Sequence, residues 1–328
     1  MIARIGTRIV AMSLLATLGA CSEGPPTGAK TAPSSEVATK PTQTSEASAE
    51  EVAKEKRGKV RCPAKVSMPA RASDAPVDDV VGVRPGMTFE EAANVVMCTH
   101  ELLVVSEDTS RRFEIQTYGH KIRQGFAARF AEPRVHKTSQ QIMQEMQDNM
   151  MARANNAVRR DMKPGQAKWY VTTMGLPGQE RVIAAARDEW FEEGRNPTLD
   201  SVEQALVKKY GPPTHNERYP GGRRLAWAYD PLGRRITETS PLYRRCNGTA
   251  DPDGATNFSP DCGIVVTAEM RGMRDNAGLA QLLQVGVMDK ANGYEAIVGT
   301  EQALLALDAE RKARELEEAS KNAAAPQL

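Results

Sequence analysis

The sequence predicts an α+β fold in which helices pack on an antiparallel sheet. Three observations predict it. Two segments open on a threonine, Thr88 and Thr198, ahead of apolar residues at helical spacing. Several short runs alternate apolar and polar residues, as half-buried strands do. Turns such as Gly175-Leu176-Pro177-Gly178 and Asp230-Pro231-Leu232-Gly233 punctuate these runs.

The chain opens on a targeting segment, residues 1–20. Arg4 and Arg8 are followed by a short apolar run and by Leu18-Gly19-Ala20 directly before Cys21. This is the layout of a secretory signal, and the apolar run is too short to span a bilayer. The small residues ending in cysteine resemble the lipobox of bacterial lipoproteins. That resemblance implies cleavage before Cys21 and three acyl chains on it, of the palmitate kind. Each buried CH2 contributes about 0.8 kcal/mol, and several chains anchor stably where one does not. Ser22, where Asp would favour retention at the inner membrane, implies the outer membrane, with the domain facing the periplasm.

Residues 21–60 are expected to be a lipidated, flexible linker, because Ser, Thr, Ala, Pro, Lys and Glu bury too little surface to offset ordering entropy. A coil of that length spans about 35 Å on average. The first α+β repeat is placed at 61–135. Thr88 with Glu91 makes a capping box for a helix running to about Cys98, after the turn at Pro85-Gly86. Strands are expected at 102–106, 113–118 and 125–130. A connecting segment at 136–165 holds a long helix over 139–160, with Met143, Met146 and Met150 at helical spacing. Packing is the preferred reading of that stripe, and an adaptable binding face is the alternative.

The second and main α+β repeat is placed at 166–290, where all three tryptophans lie. It is expected to contain a strand at 169–173, a helix over 179–193 carrying Trp190, and a helix from Thr198 stopped by Gly211-Pro212-Pro213. Strands follow around Leu225, Trp227 and Tyr229, then at 264–270 and 282–288. Residues 291–328 form a helix and tail whose charged second half reads as a solvated face. Thr88-Phe89-Glu90-Glu91 and Thr198-Leu199-Asp200-Ser201 suggest two tandem helix-then-three-strand repeats.

The 43 basic and 42 acidic residues nearly cancel, which argues against nucleic acid as a partner. With Cys21 assigned to lipid, Cys62, Cys98, Cys246 and Cys262 remain. An even number in an exported chain predicts two disulfides. Four cysteines allow three pairings, of which the sequence-local pair Cys62–Cys98 and Cys246–Cys262 is preferred. Neither the cysteines nor the four histidines show metal-ligand spacing, so no metal or cofactor is expected. Asp251-Pro252-Asp253-Gly254 is faintly like a calcium loop, but Cys262 stands where such a loop needs Glu.

No catalytic residues are assigned, because GxSxG, HExxH, P-loop and GxGxxG patterns are absent. Arg223, Arg224, Arg234 and Arg235 flank Trp227 and could make a basic surface for an acidic partner, although charge protection of an edge strand is the preferred reading.

The lipobox, the linker, the Gly86-Met87-Thr88 helix start and Tyr210-Gly211-Pro212-Pro213 before a Trp-containing strand together resemble the SmpA/OmlA class of small outer-membrane assembly lipoproteins. That class packs two helices on a three-stranded sheet, and a secreted beta-lactamase inhibitor protein carries the fold in tandem. The resemblance covers 82–130 and 175–290. Against the pattern, this chain is longer, and its second copy has Asn196-Pro197-Thr198 in place of Gly-Met-Thr. The long helix and the disulfides have no counterpart. The resemblance implies a protein-binding or structural module in envelope assembly or maintenance, anchored to the membrane through lipid and meeting an envelope protein partner. The competing expectation is a periplasmic hydrolase with dispersed site residues.

Overall fold

The computed structural model describes residues 46–107, 115–154, 162–246, 248 and 257–324. The signal segment, Cys21 and Ser22 therefore lie outside the described residues, as does the Asp251–Gly254 turn. The elements are helices α1 (Ala49–Arg57), α2 (Phe89–Cys98), α3 (Ser139–Ala154), α4 (Leu199–Tyr210) and α5 (Lys290–Asn322). The strands are β1 (Leu103–Glu107), β2 (Gly125–Phe130), β3 (Ala167–Met174), β4 (Arg181–Trp190), β5 (His215–Tyr219), β6 (Gly222–Ala228), β7 (Ile264–Gly272) and β8 (Ala280–Asp289).

All eight strands join one antiparallel sheet in the order β1-β2-β3-β4-β8-β7-β6-β5. The chain is thus α+β. The strand order divides into two like halves: α2 followed by a four-strand meander, and α4 followed by another, with β4 and β8 pairing at the centre. Each helix start is stitched to the last strand of its own half. Thr88 bridges to Arg181, and Val182 N–H donates to the Met87 carbonyl at 2.8 Å. Thr198 bridges to Leu279, and Ala280 N–H donates to the Pro197 carbonyl at 2.8 Å. An N-cap residue holds extended φ/ψ, so the residues entering a helix can pair with a strand. Both threonines accept a hydrogen bond from the backbone N–H three residues on, at Glu91 and at Ser201. The repeat unit is therefore a helix and four strands, one more than the sequence suggests.

The helix expected over 179–193 is strand β4. Ala184, Ala185 and Ala186 favour a helix in isolation. Here they lie between β3 and β8 and are buried on both faces, so the strand loses its alternation and keeps small side chains. The linker expected to reach residue 60 is structured from the Ser48–Glu51 capping box onward: α1 buries Val52 and Ala53 beside Leu102, Val104 and Ala131. The strand expected at 113–118 is absent from its described part, 115–118, which ends in a turn at Tyr118-Gly119.

One core lies between the sheet and α2 and α4, around Trp169, Trp227 and Phe126. Helix α5 covers the centre of the opposite face, packing on β3, β4, β7 and β8, and its Leu304 is fully buried. Its end, residues 309–324, is exposed. The methionine stripe does not pack. On α3, Met143, Met146 and Met150 are 66%, 64% and 65% exposed.

Candidate functional site

The arginines that flank Trp227 do not make a basic surface around it. Trp227 is 1% exposed and donates its indole N–H to the Gly211 carbonyl at 2.8 Å. Alternation along β6 sends Arg223 and Arg224 to opposite faces of the sheet. Arg223 pairs with Asp200 and Glu203 of α4, whereas Arg224 lies 3.4 Å from both Glu217 and Glu269. Arg234 closes on Asp230 at 2.7 Å, and Arg235 donates to the Pro213 carbonyl at 2.8 Å. Acidic residues on α4, on the neighbouring strands and on the Asp230 turn absorb most of this charge.

The expected sequence-local disulfides are both present. Cys62–Cys98 has a Cα separation of 5.5 Å and Cys246–Cys262 one of 5.4 Å. Cys246 and Cys262 are wholly buried, while Cys62 is exposed.

Two surface clefts bring functional side chains together. One, of about 400 Å³, lies at the β5 edge. His215 stacks on Tyr243 there at 3.9 Å, and Glu217, Arg224 and Glu238 complete its polar lining. Its carboxylates and imidazole could bind a polar group.

The second cleft, of about 390 Å³, lies over α2. After α1 the chain turns at Gly58, φ 57°, and runs back along α2. Two attachments hold this arm. Cys62 is bonded to Cys98 at the end of α2. Ser67 donates its backbone N–H and hydroxyl to the Glu91 carboxylate in the first turn, the former at 2.7 Å. Burial alone would raise the pKa of Glu91. The hydrogen bonds from Ser67 and Thr88 outweigh burial and lower it to about 2.

Phe89, Ala93 and Met97, one turn apart on α2, floor the cleft. Lys59, Arg61 and Lys65 rise from the arm, Arg57 reaches in from the end of α1, and Arg123 completes the lining. Arg57 donates to the carbonyls of Met97 at 2.9 Å and His100 at 2.6 Å, capping the end of α2. Arg123 lies 4.2 Å from the Phe89 ring centroid and pairs with Glu90 at 2.7 Å. Burial works against the charge on Arg123, but Glu90 and Glu180 outweigh it and raise its pKa. Lys59, Arg61 and Lys65 have no carboxylate within ion-pair distance among the described residues. A second hollow of about 420 Å³ adjoins and shares Arg57 and Val60.

This arrangement concentrates free positive charge above an apolar floor on a chain that is otherwise nearly neutral. It can bind an anion that carries apolar groups. The signal was present in the sequence as the run Lys54, Lys56, Arg57, Lys59, Arg61 before Cys62, a run that also fits a solvated linker. No protein family, curated protein or solved structure matches the chain.

Proposed function

We propose that this chain is a lipid-anchored module, held at the outer membrane through Cys21 and facing the periplasm, that works by binding a protein partner in envelope assembly or maintenance. The observation that carries the reading is the cleft over α2. Among the described residues Lys59, Arg61 and Lys65 stay free of carboxylates there, while Arg223, Arg224 and Arg234 are paired. Like charges held together without compensation cost stability, and complementary potential speeds association with a partner. The lipobox and two disulfides accord with an exported chain in an oxidising compartment.

The test is cross-linking in intact cells followed by pull-down of the full-length lipidated protein. A discrete envelope protein should be recovered, and Cys21→Ala should leave the membrane fraction. Recovery of no envelope protein, or persistence of the Cys21→Ala variant on membranes, would overturn the reading.

A further inference from the structure

The geometry points to the cleft over α2 as a docking site for an extended acidic segment of a protein partner, one in which Asp or Glu alternates with large apolar residues. This inference rests on the reading above that the chain works by binding, and it names the chemistry of what is bound.

Three observations specify the occupant. The first is charge. Arg57, Lys59, Arg61, Lys65 and Arg123 line the cleft with Glu90 as the one carboxylate among the described residues, and the Glu90 side chain already serves Arg123. Complementarity therefore calls for an anion. The second is the alternation along the arm. Lys59 and Arg61 are exposed on either side of half-buried Val60; the exposed pair Cys62 and Pro63 then interrupts the alternation, which resumes with half-buried Ala64 and exposed Lys65. Residues two apart in an extended chain are about 7 Å apart on the same side. An extended peptide presents its own side chains at that spacing, so two acidic residues on one side can meet Lys59 and Arg61. Apolar residues on the other side then reach Phe89, Ala93 and Met97.

The third is the backbone. The arm lies outside any helix or strand. Among the described residues, the N–H groups of Lys59, Val60, Arg61, Ala64 and Lys65 have no protein hydrogen-bond partner. They are free to pair with the main chain of an extended ligand, the mode by which peptides add to an exposed backbone edge. A phosphate-bearing lipid would use the charge and the floor. It has no side chains at the spacing of Lys59 and Arg61 and no main chain to pair with the arm.

The full-length, disulfide-intact protein is titrated into a fluorescein-labelled peptide in which Asp and Glu alternate with Leu and Phe. The comparators are the same peptide with Lys at the acidic positions and vesicles of phosphatidylglycerol. The acidic peptide should bind, the Lys peptide should not, and affinity should fall as salt is raised. The triple variant K59E/R61E/K65E should lose about a hundredfold in affinity, with an unchanged melting temperature because these side chains are exposed. Met97→Ser, which reduces the apolar floor and adds no charge, should also weaken binding. Arg195→Glu, at an exposed site outside the cleft lining, should not.

Equal binding of both peptides, binding of vesicles but not peptide, or indifference to the triple variant would overturn the inference. The two readings fail separately. An envelope partner recovered equally by wild type and triple variant retains the binding function and removes this site. Peptide binding without any recovered partner does the reverse.

Discussion

Replacing Glu91 with Gln should destabilise the protein by about 1–2 kcal/mol near neutral pH, and the loss should vanish in acid. The Glu91 carboxylate accepts hydrogen bonds from the Thr88 N–H at 3.0 Å and from the backbone N–H and hydroxyl of Ser67. It therefore closes the cap of α2 and fastens the arm at once. Its pKa falls from the ordinary 4.5 to about 2. At about 1.4 kcal/mol per pH unit, that interval sets a ceiling of about 3 kcal/mol. The group is partly exposed, so solvent screening reduces the realised part to about half.

A carboxyl whose folded pKa is depressed contributes its full stabilisation above the unfolded pKa, and the contribution is lost as pH falls through the folded one. The gap between wild type and Glu91→Gln should accordingly be widest above about pH 5 and close towards pH 2. Urea unfolding of the oxidised proteins, followed by tryptophan fluorescence across that range, measures it. Equal stabilities near neutrality, or a gap that persists unchanged into acid, would refute the reasoning.

Four further outcomes follow from the packing. Trp227→Ala should cost about 3–5 kcal/mol, and Trp227→Phe about 1–2 kcal/mol because the bond to the Gly211 carbonyl is lost, both read from thermal unfolding. Limiting reductant with alkylation and mass mapping should label Cys62 and Cys98 first, since Cys246 and Cys262 are wholly buried; simultaneous labelling would contradict the burial. Gly125→Ala should destabilise the β2–β3 pair by about 2 kcal/mol or more, because Gly125 has φ 144° and a Cβ there would stand 2.1 Å from the Val171 carbonyl oxygen. Met143→Ser with Met146→Ser should change stability by less than about 0.5 kcal/mol in chemical denaturation, in keeping with their exposure on α3.

Local chemistry was legible wherever the deciding partners lie close in the chain. The threonine caps of α2 and α4, the stop at Gly211-Pro212-Pro213 and the strands β2, β7 and β8 follow from neighbours a few residues apart. Elements whose identity depends on distant partners are not legible in the sequence. Residues 181–190 read as helix because Ala184-Ala185-Ala186 lack β-branching, and only pairing with β3 and β8 makes them a strand. Residues 49–57 read as linker because their apolar content is Val52 and a few alanines, enough to bury a helix only where β1 offers an edge. The spacing of Met143, Met146 and Met150 is helical, but spacing alone carries no information on whether another element covers that face.

The candidate site divides in the same way. Arg223, Arg224 and Arg234 looked available in sequence, and Glu203, Glu269 and Asp230 take them up in the folded protein. The cations at 57–65 looked like solvated linker, and the Cys62–Cys98 bond together with the Ser67–Glu91 contact turns them into the wall of a cleft.

By itself the amino-acid sequence determined the helix caps, the turns and the expectation of two disulfides, since each rests on short-range stereochemistry or on cysteine arithmetic. The tertiary structure alone decided that the two halves share one sheet, which charges are neutralised, and where free charge gathers. Those outcomes depend on contacts between residues far apart in the chain, and an ion pair such as Arg223 with Glu203 or Arg224 with Glu269 has no signature in the order of residues until folding brings its members together.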